Sequence, residues 1–218
     1  MLVRELTVPG AWAMTPTHHR DDRGMFLEWF TSGSFEGAVG HPLALAQANL
    51  SVSDAGVLRG IHYADVPPGQ AKYVTCPRGA VLDVVVDLRV GSPTFGQHDT
   101  VLLDDVDHRA VYLSEGLGHA FMSLEAGSTV VYLCSTGYAP EREHGIDPLD
   151  RSLGIPWPTV DRAGRPLTPV LSPKDEQAPD LSTALQRGAL PGWETTKASV
   201  EALRRAAGQS PSARRTRR

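Results

Sequence analysis

Cysteine is scarce in this chain: Cys76 and Cys134 are the only two among 218 residues. That excludes a small secreted scaffold held together by disulfides. Both cysteines fall in apolar, strand-like runs. A bridge between them stays open, but buried reduced thiols in a cytoplasmic protein are the expectation. Aromatic residues make up only 6% of the chain. Long apolar runs are missing too. Stretches such as Val84–Val86 and Val130–Cys134 fall far short of the ~20 residues a spanning helix needs. The start, Met1-Leu2-Val3-Arg4-Glu5, lacks the basic-then-apolar plan of a signal peptide. The expected location is therefore cytoplasmic, with no membrane partner. Neither an internal repeat nor a βαβ alternation is visible, which weighs against nucleotide folds of the Rossmann type.

Acidic residues are missing from the last fifteen positions, Arg204 to Arg218, which carry six arginines. The net charge of −4 thus divides into −10 over residues 1–203 and +6 over this tail. An acidic body is a poor nucleic-acid surface, so no nucleic-acid partner is expected. Its polar, Ser- and Arg-rich composition predicts a flexible extension over 204–218.

What is present is a core. With 41% apolar residues the chain can bury a substantial interior, and disorder is not expected. Short strand-like runs recur between Gly, Pro and Asp turns: Val74–Cys76, Ala80–Leu88, Asp99–Leu103, Ala110–Leu113 and Thr129–Ser135. This spacing predicts a mainly β sandwich or barrel. Within Ala80–Leu88, alternation puts Val81, Asp83, Val85 and Asp87 on one face and Leu82, Val84, Val86 and Leu88 on the other. After Pro140 the character changes. Ile155-Pro156-Trp157-Pro158 cannot be a regular central strand. Asp180 caps a short helix ending near Gly188, and Thr195 or Thr196 caps a last one through Arg205. The reading is one domain over 1–203, with a β core to about 140 and a loop-and-helix annex over 141–203.

The densest chemistry lies between Gln47 and Lys72. Gln47-Ala48-Asn49-Leu50-Ser51 is followed by Arg59-Gly60-Ile61-His62-Tyr63 and then by Gln70-Ala71-Lys72. Amides, a guanidinium, an imidazole and an ammonium stand there among strand-forming residues. Polar groups are costly to bury without partners, so they predict a polar-lined cavity. An acid at mid-strand, Asp83, is expected to line the same cavity. Imidazole is the side chain that ordinarily changes charge near neutral pH, which suits His62 to acid–base work. Taken alone, His62 in a strand reads more readily as structural or as a metal ligand than as a catalyst, and Tyr132 as a core aromatic with a tethered hydroxyl.

These motifs resemble the dTDP-4-dehydrorhamnose 3,5-epimerases, the sugar-nucleotide branch of the cupin fold, from about Val3 to Trp193. The resemblance implies a double-stranded β-helix (cupin jelly roll) with a short helical C-terminal annex. It also implies a homodimer that shares N-terminal segments across its interface. Arg59-Gly60-Ile61-His62 matches the base motif, and Asp175 in Ser172-Pro173-Lys174-Asp175 matches its carboxylate partner. Tyr132 matches the proton donor on the opposite side of the sugar. Lys72 stands as the cation for the developing oxyanion. Arg23, Phe26 and Glu28, all within Asp21–Glu28, match substrate contacts, as do Gln47, Asn49, Arg59, His119, Glu143 and Lys174. Tyr138 matches the aromatic that stacks on thymine. The chain departs from common family patterns at His19, Ala48 and Leu50. The implied substrate is a dTDP-4-keto-6-deoxy sugar, whose C4 ketone acidifies the hydrogens on C3 and C5. The resemblance implies no cofactor: no metal, nicotinamide or flavin is required.

Three other readings compete. A related epimerase acting at C3 or C5 alone would carry the same acid–base set. A metal-dependent cupin would offer His-x-His, yet His62 is followed by Tyr63-Ala64, and Arg59 and Lys72 would repel a cation. A non-catalytic sugar-nucleotide binder would have lost the base, acid or lysine, and all three are present.

Overall fold

The computed structural model describes residues 1–209; the predicted flexibility of 210–218 lies outside the described residues. The chain opens with β1 (Leu2–Glu5), β2 (Ala11–Thr15), the hairpin β3 (His19–Asp21) and β4 (Gly24–Phe26), and α1 (Ser32–Val39). Then come β5 (Gln47–Ser53), β6 (Leu58–Ala64), β7 (Lys72–Arg78), β8 (Ala80–Asp87), β9 (His98–Asp104), β10 (Ala110–Leu113), β11 (Leu117–Ser123), β12 (Ser128–Cys134) and β13 (Glu143–Gly145). The annex holds a single 3₁₀ turn and three helices: α2 (Pro173–Glu176), α3 (Leu181–Gln186) and α4 (Trp193–Gln209).

Two antiparallel sheets face each other. One runs β1-β2-β10-β7-β12-β5, the other β13-β6-β11-β8-β9. Consecutive strands such as β6 and β7 sit in different sheets, as a jelly roll requires. The alternation in Ala80–Leu88 explains the layering. Val81 and Val85 enter the apolar cluster between the sheets, with Val74, Val111, Leu113, Phe121 and Val130. Val84, Val86 and Leu88 point outward into a second cluster with Ile61, Ile146, Leu153 and Ala184. The annex is therefore the cover of the five-stranded sheet, and β8 is buried on both faces because of it. A third cluster seats Phe35 and Val39 of α1 on Trp12, Tyr73 and Tyr112 of the other sheet. Each such side chain contributes about 1.5–3 kcal/mol on burial.

Two boundaries differ from those expected. Sheet pairing does not stop near 140, because β13 adds to β6 through Glu143↔Ala64 and Gly145↔His62. The last helix begins at Trp193 and continues to Gln209, so part of the predicted tail is helical. Its docking explains this. Arg89 lies 4.6 Å over the Trp193 ring, Thr196 is buried, and Arg204 Nε donates to the Val39 carbonyl at 3.1 Å. That carbonyl belongs to the last turn of α1, where a cation is favourable.

Candidate active site

Arg59 and His62 are three residues apart, so strict alternation would point them to opposite faces of β6. The register with β11 shows why they do not. His119 pairs with His62 and Phe121 with Arg59, leaving Gly60 and Ile61 opposite Ala120 alone. Such a bulge re-aims side chains. Gly60 has φ +119, and a Cβ there would lie 2.5 Å from the His119 carbonyl oxygen and 2.6 Å from Ala120 Cβ. Only glycine fits.

Between the sheets lies a cavity of about 380 Å³ lined by Arg59, His62, Lys72, His119, Tyr132 and Asp175, among others. His62 and His119 come from the five-stranded sheet, and Lys72 and Tyr132 from the six-stranded one. His62 Nε2 donates to Asp175 Oδ1 at 2.7 Å. Its Nδ1 is thereby left as the basic nitrogen. Asp175 is held in turn by the Ser172 hydroxyl, which donates to Oδ2 at 2.9 Å and caps α2. Burial works against the Asp175 charge, but His62, Ser172 and the Gly60 backbone outweigh it and keep the carboxyl below its ordinary range. Ser172 is the cap of α2, which leaves the Asp175 carboxylate to pair with His62.

Lys72 is buried. Burial holds its ammonium below the usual lysine range, against the opposing pull of Cys134, Glu143 and Asp83. Burial pushes the Tyr132 phenol up, with Cys134 and Glu143 adding to it, while Arg59 and an Asn49 hydrogen bond counteract. A phenol held up in this way stays protonated at neutral pH. Asp83 does not line the cavity as expected. It lies behind His119, whose Nε2 donates to Asp83 Oδ2 at 2.8 Å. His119 on the adjacent strand covers it, so Asp83 orients that imidazole.

Gln47, Asn49, Tyr138 and Glu143 are not among the residues that line this cavity. Gln47 Nε2 donates to Asn49 Oδ1 at 2.7 Å, and the Tyr138 backbone N–H donates to Gln47 Oε1 at 2.8 Å. Tyr138 is 64% exposed. Glu143 accepts from the Ala139 N–H at 3.2 Å, and Lys174 lines the cavity. Arg23, Phe26 and Glu28 are not brought to this cavity. Arg23 sits in the turn of the exposed β3–β4 hairpin, 90% exposed and ion-paired to Asp21. Phe26 is 66% exposed. The lining also includes residues that were not anticipated: Ser51, Phe121 and Val170 to Ser172. Ser51 follows Gln47 and Asn49 at period two, a signal that was there to read. Val170 gave no local signal; it arrives through a bridge to Val57. Both cysteines are free, and no group of three or more His, Cys, Asp or Glu is arranged for a metal among the described residues.

The arrangement offers an imidazole and a phenol from opposite sheets, with an ammonium on the same sheet as the phenol. Comparison with known proteins fits that chemistry. The curated dTDP-4-dehydrorhamnose 3,5-epimerase of Mycolicibacterium smegmatis is 57% identical over 205 residues, covering 94% of this chain and 98% of that protein. The solved rmlC epimerase of Mycobacterium tuberculosis superposes with a TM-score of 0.90 at 53% identity, covering 93% of this chain and all of that one. ChmJ, a 3'-monoepimerase from Streptomyces bikiniensis solved with dTDP-quinovose, gives a TM-score of 0.86 at 52% identity, over 91% of this chain and 98% of that one. The family model for dTDP-4-dehydrorhamnose 3,5-epimerase matches residues 5–183, and the chain belongs to that family of isomerases.

Proposed function

We propose that this protein converts dTDP-4-dehydro-6-deoxy-α-D-glucose to dTDP-4-dehydro-β-L-rhamnose by inverting C3 and C5. The observation that carries the reading is that His62 and Tyr132 approach one cavity from opposite sheets, with Lys72 in the same wall. His62 Nδ1 takes the proton from the carbon beside the ketone, and the electron pair moves onto the C4 oxygen as an enolate. The Lys72 ammonium stabilises that oxyanion, a type of interaction that contributes about 3–4 kcal/mol. Tyr132 then delivers its proton to the other face of the same carbon, and the C=O bond re-forms. Arg59 favours the tyrosinate that is left. Solvent takes the proton from His62 and returns one to Tyr132. Only protons move, so the reaction needs no electron carrier, and Arg59 and Lys72 would oppose a cation in the cavity.

Gln47, Asn49, His119, Tyr138, Glu143 and Lys174 serve as substrate contacts in this reading. Arg23, Phe26 and Glu28 serve the site of a second copy, which makes the protein a homodimer. The exposed apolar side chains of Phe26, Leu50 and Val52 support that pairing. Among the described residues no helix is long and apolar enough to cross a membrane. We assign the protein to the cytoplasm, supplying rhamnose for cell-envelope glycans.

The test is incubation with the 4-keto substrate in heavy water, coupled to a 4-reductase. Deuterium at both C3 and C5 of the reduced sugar is expected. Label at C3 alone would establish the monoepimerase reading, the activity named for ChmJ. Replacing His62 with Ala is expected to lower kcat by about 10²–10⁴-fold while dTDP affinity, read by calorimetry, is retained. Unchanged turnover with lost nucleotide binding would remove His62 from the role of base.

A further inference from the structure

Both cysteines are buried, but in different company. Cys76 packs in the apolar cluster between the sheets with Val74 and Val130. Cys134, 1% exposed, belongs to none of the three apolar clusters among the described residues. Strand register puts it opposite Lys72 on β7 and opposite Gln47 on β5. Residues directly opposed in an antiparallel pair send their side chains to one face, with Cβ atoms about 4.5–5.5 Å apart. The sulfur therefore shares a face with the Lys72 side chain. It also accepts a hydrogen bond: Asn49 Nδ2 donates to Cys134 Sγ at 3.7 Å.

That bond ends a chain of contacts. The Tyr138 N–H donates to Gln47, Gln47 to Asn49, and Asn49 to Cys134. Asn49 also stands directly opposite Tyr132 in the β5–β12 register, with both side chains on one face. A core-filling thiol would need none of this. We propose that Cys134 is a positioning residue, which anchors Asn49 beside Tyr132 and seats the Lys72 side chain at the sugar end of the cavity. The inference rests on the roles given above to Tyr132 and Lys72.

The ionisable groups that act electrostatically on Lys72 are Cys134 on β12, Glu143 on β13 and Asp83 on β8, the last from behind His119, with Arg59, His62, His119, Lys174 and Asp175 around the cavity. Removing the sulfur takes away a polarisable acceptor on the face that the Lys72 side chain shares. The experiment compares Cys134→Val, which keeps bulk without an acceptor, with Cys134→Ser, which restores one. For each, kcat, KM, dTDP affinity and the pH profile of kcat are measured. The Val variant is expected to lose about tenfold in kcat at unchanged KM and dTDP affinity. The alkaline fall of its kcat profile moves to lower pH, and Ser recovers most of both effects. Cys134→Ala is read by the same criteria should Val fail to fold.

Parent kcat and an unmoved alkaline limb in Val would overturn the proposal. So would Val and Ser losing kcat and dTDP binding in equal measure, the mark of a filler. Tyr132→Phe and Lys72→Met are run alongside. If either turns over like the parent, the catalytic reading fails and the positioning role goes with it. If both are inactive while Cys134→Val is unaffected, only the positioning role fails.

Discussion

An ammonium enclosed by protein loses hydration, and Lys72 regains little of it. None of the hydrogen bonds or ion pairs found among the described residues involves its side chain, and burial lowers its proton affinity. The protonated lysine thus weakens the fold while serving the reaction. The sign follows from linkage. The folded-state value is depressed, so the penalty is complete below that value and disappears as pH rises towards the ordinary lysine range. Replacing Lys72 with Met should raise stability at neutral pH by ~0.5–2 kcal/mol and abolish turnover. The stability gain should shrink as the pH is raised towards 10.5, the ordinary lysine value. Urea midpoints at several pH values measure this. A Met variant less stable than the parent at neutral pH would mean that Lys72 has a stabilising partner.

At the scale of the element, the β6 bulge decides which side chains meet. Gly60→Ala puts a methyl into the His119 and Ala120 backbone and side-chain space at a positive φ. Relaxing the strand would turn either Arg59 or His62 away from the cavity. The variant should lose at least ~2 kcal/mol of stability, read by denaturant midpoint, and its remaining activity should fall further than its stability. Equal stability would show that β11 can yield there. The bulge also marks the limit of what the sequence disclosed. Alternation in Ala80–Leu88 was legible because a buried strand must satisfy two faces at once. The capping role of Asp180 was legible because it is local, and the Asp180 side chain accepts from the Thr183 N–H. That Arg59 and His62 share a face was not legible from period two. It depends on two residues of one strand opposing one residue of another, 60 positions away. The same holds for Asp83: its position was readable, but its cover by His119 is a property of strand order.

Across the whole molecule, His62, Tyr132 and Lys72 were recognisable as a set only through family motifs. They lie on three strands of two sheets, and no spacing rule joins them. Arg23, Phe26 and Glu28 carry the same motif signal, yet they stand outside the cavity of their own chain. The proposed homodimer reconciles the two facts, because an isologous interface gives each hairpin the site of the other copy. Complementation reads this directly. Arg23→Ala lacks the donated guanidinium, and His62→Ala lacks the base, so each homodimer alone should be nearly inactive. Dissociating and reassociating an equal mixture makes half the dimers mixed. In each mixed dimer the subunit with an intact His62 receives an intact Arg23, while the other site lacks both. About a quarter of parent activity should therefore return, with mixed dimers confirmed by differential tags. If Arg23 instead served its own chain, both sites of the mixed dimer would stay defective and mixing would restore nothing.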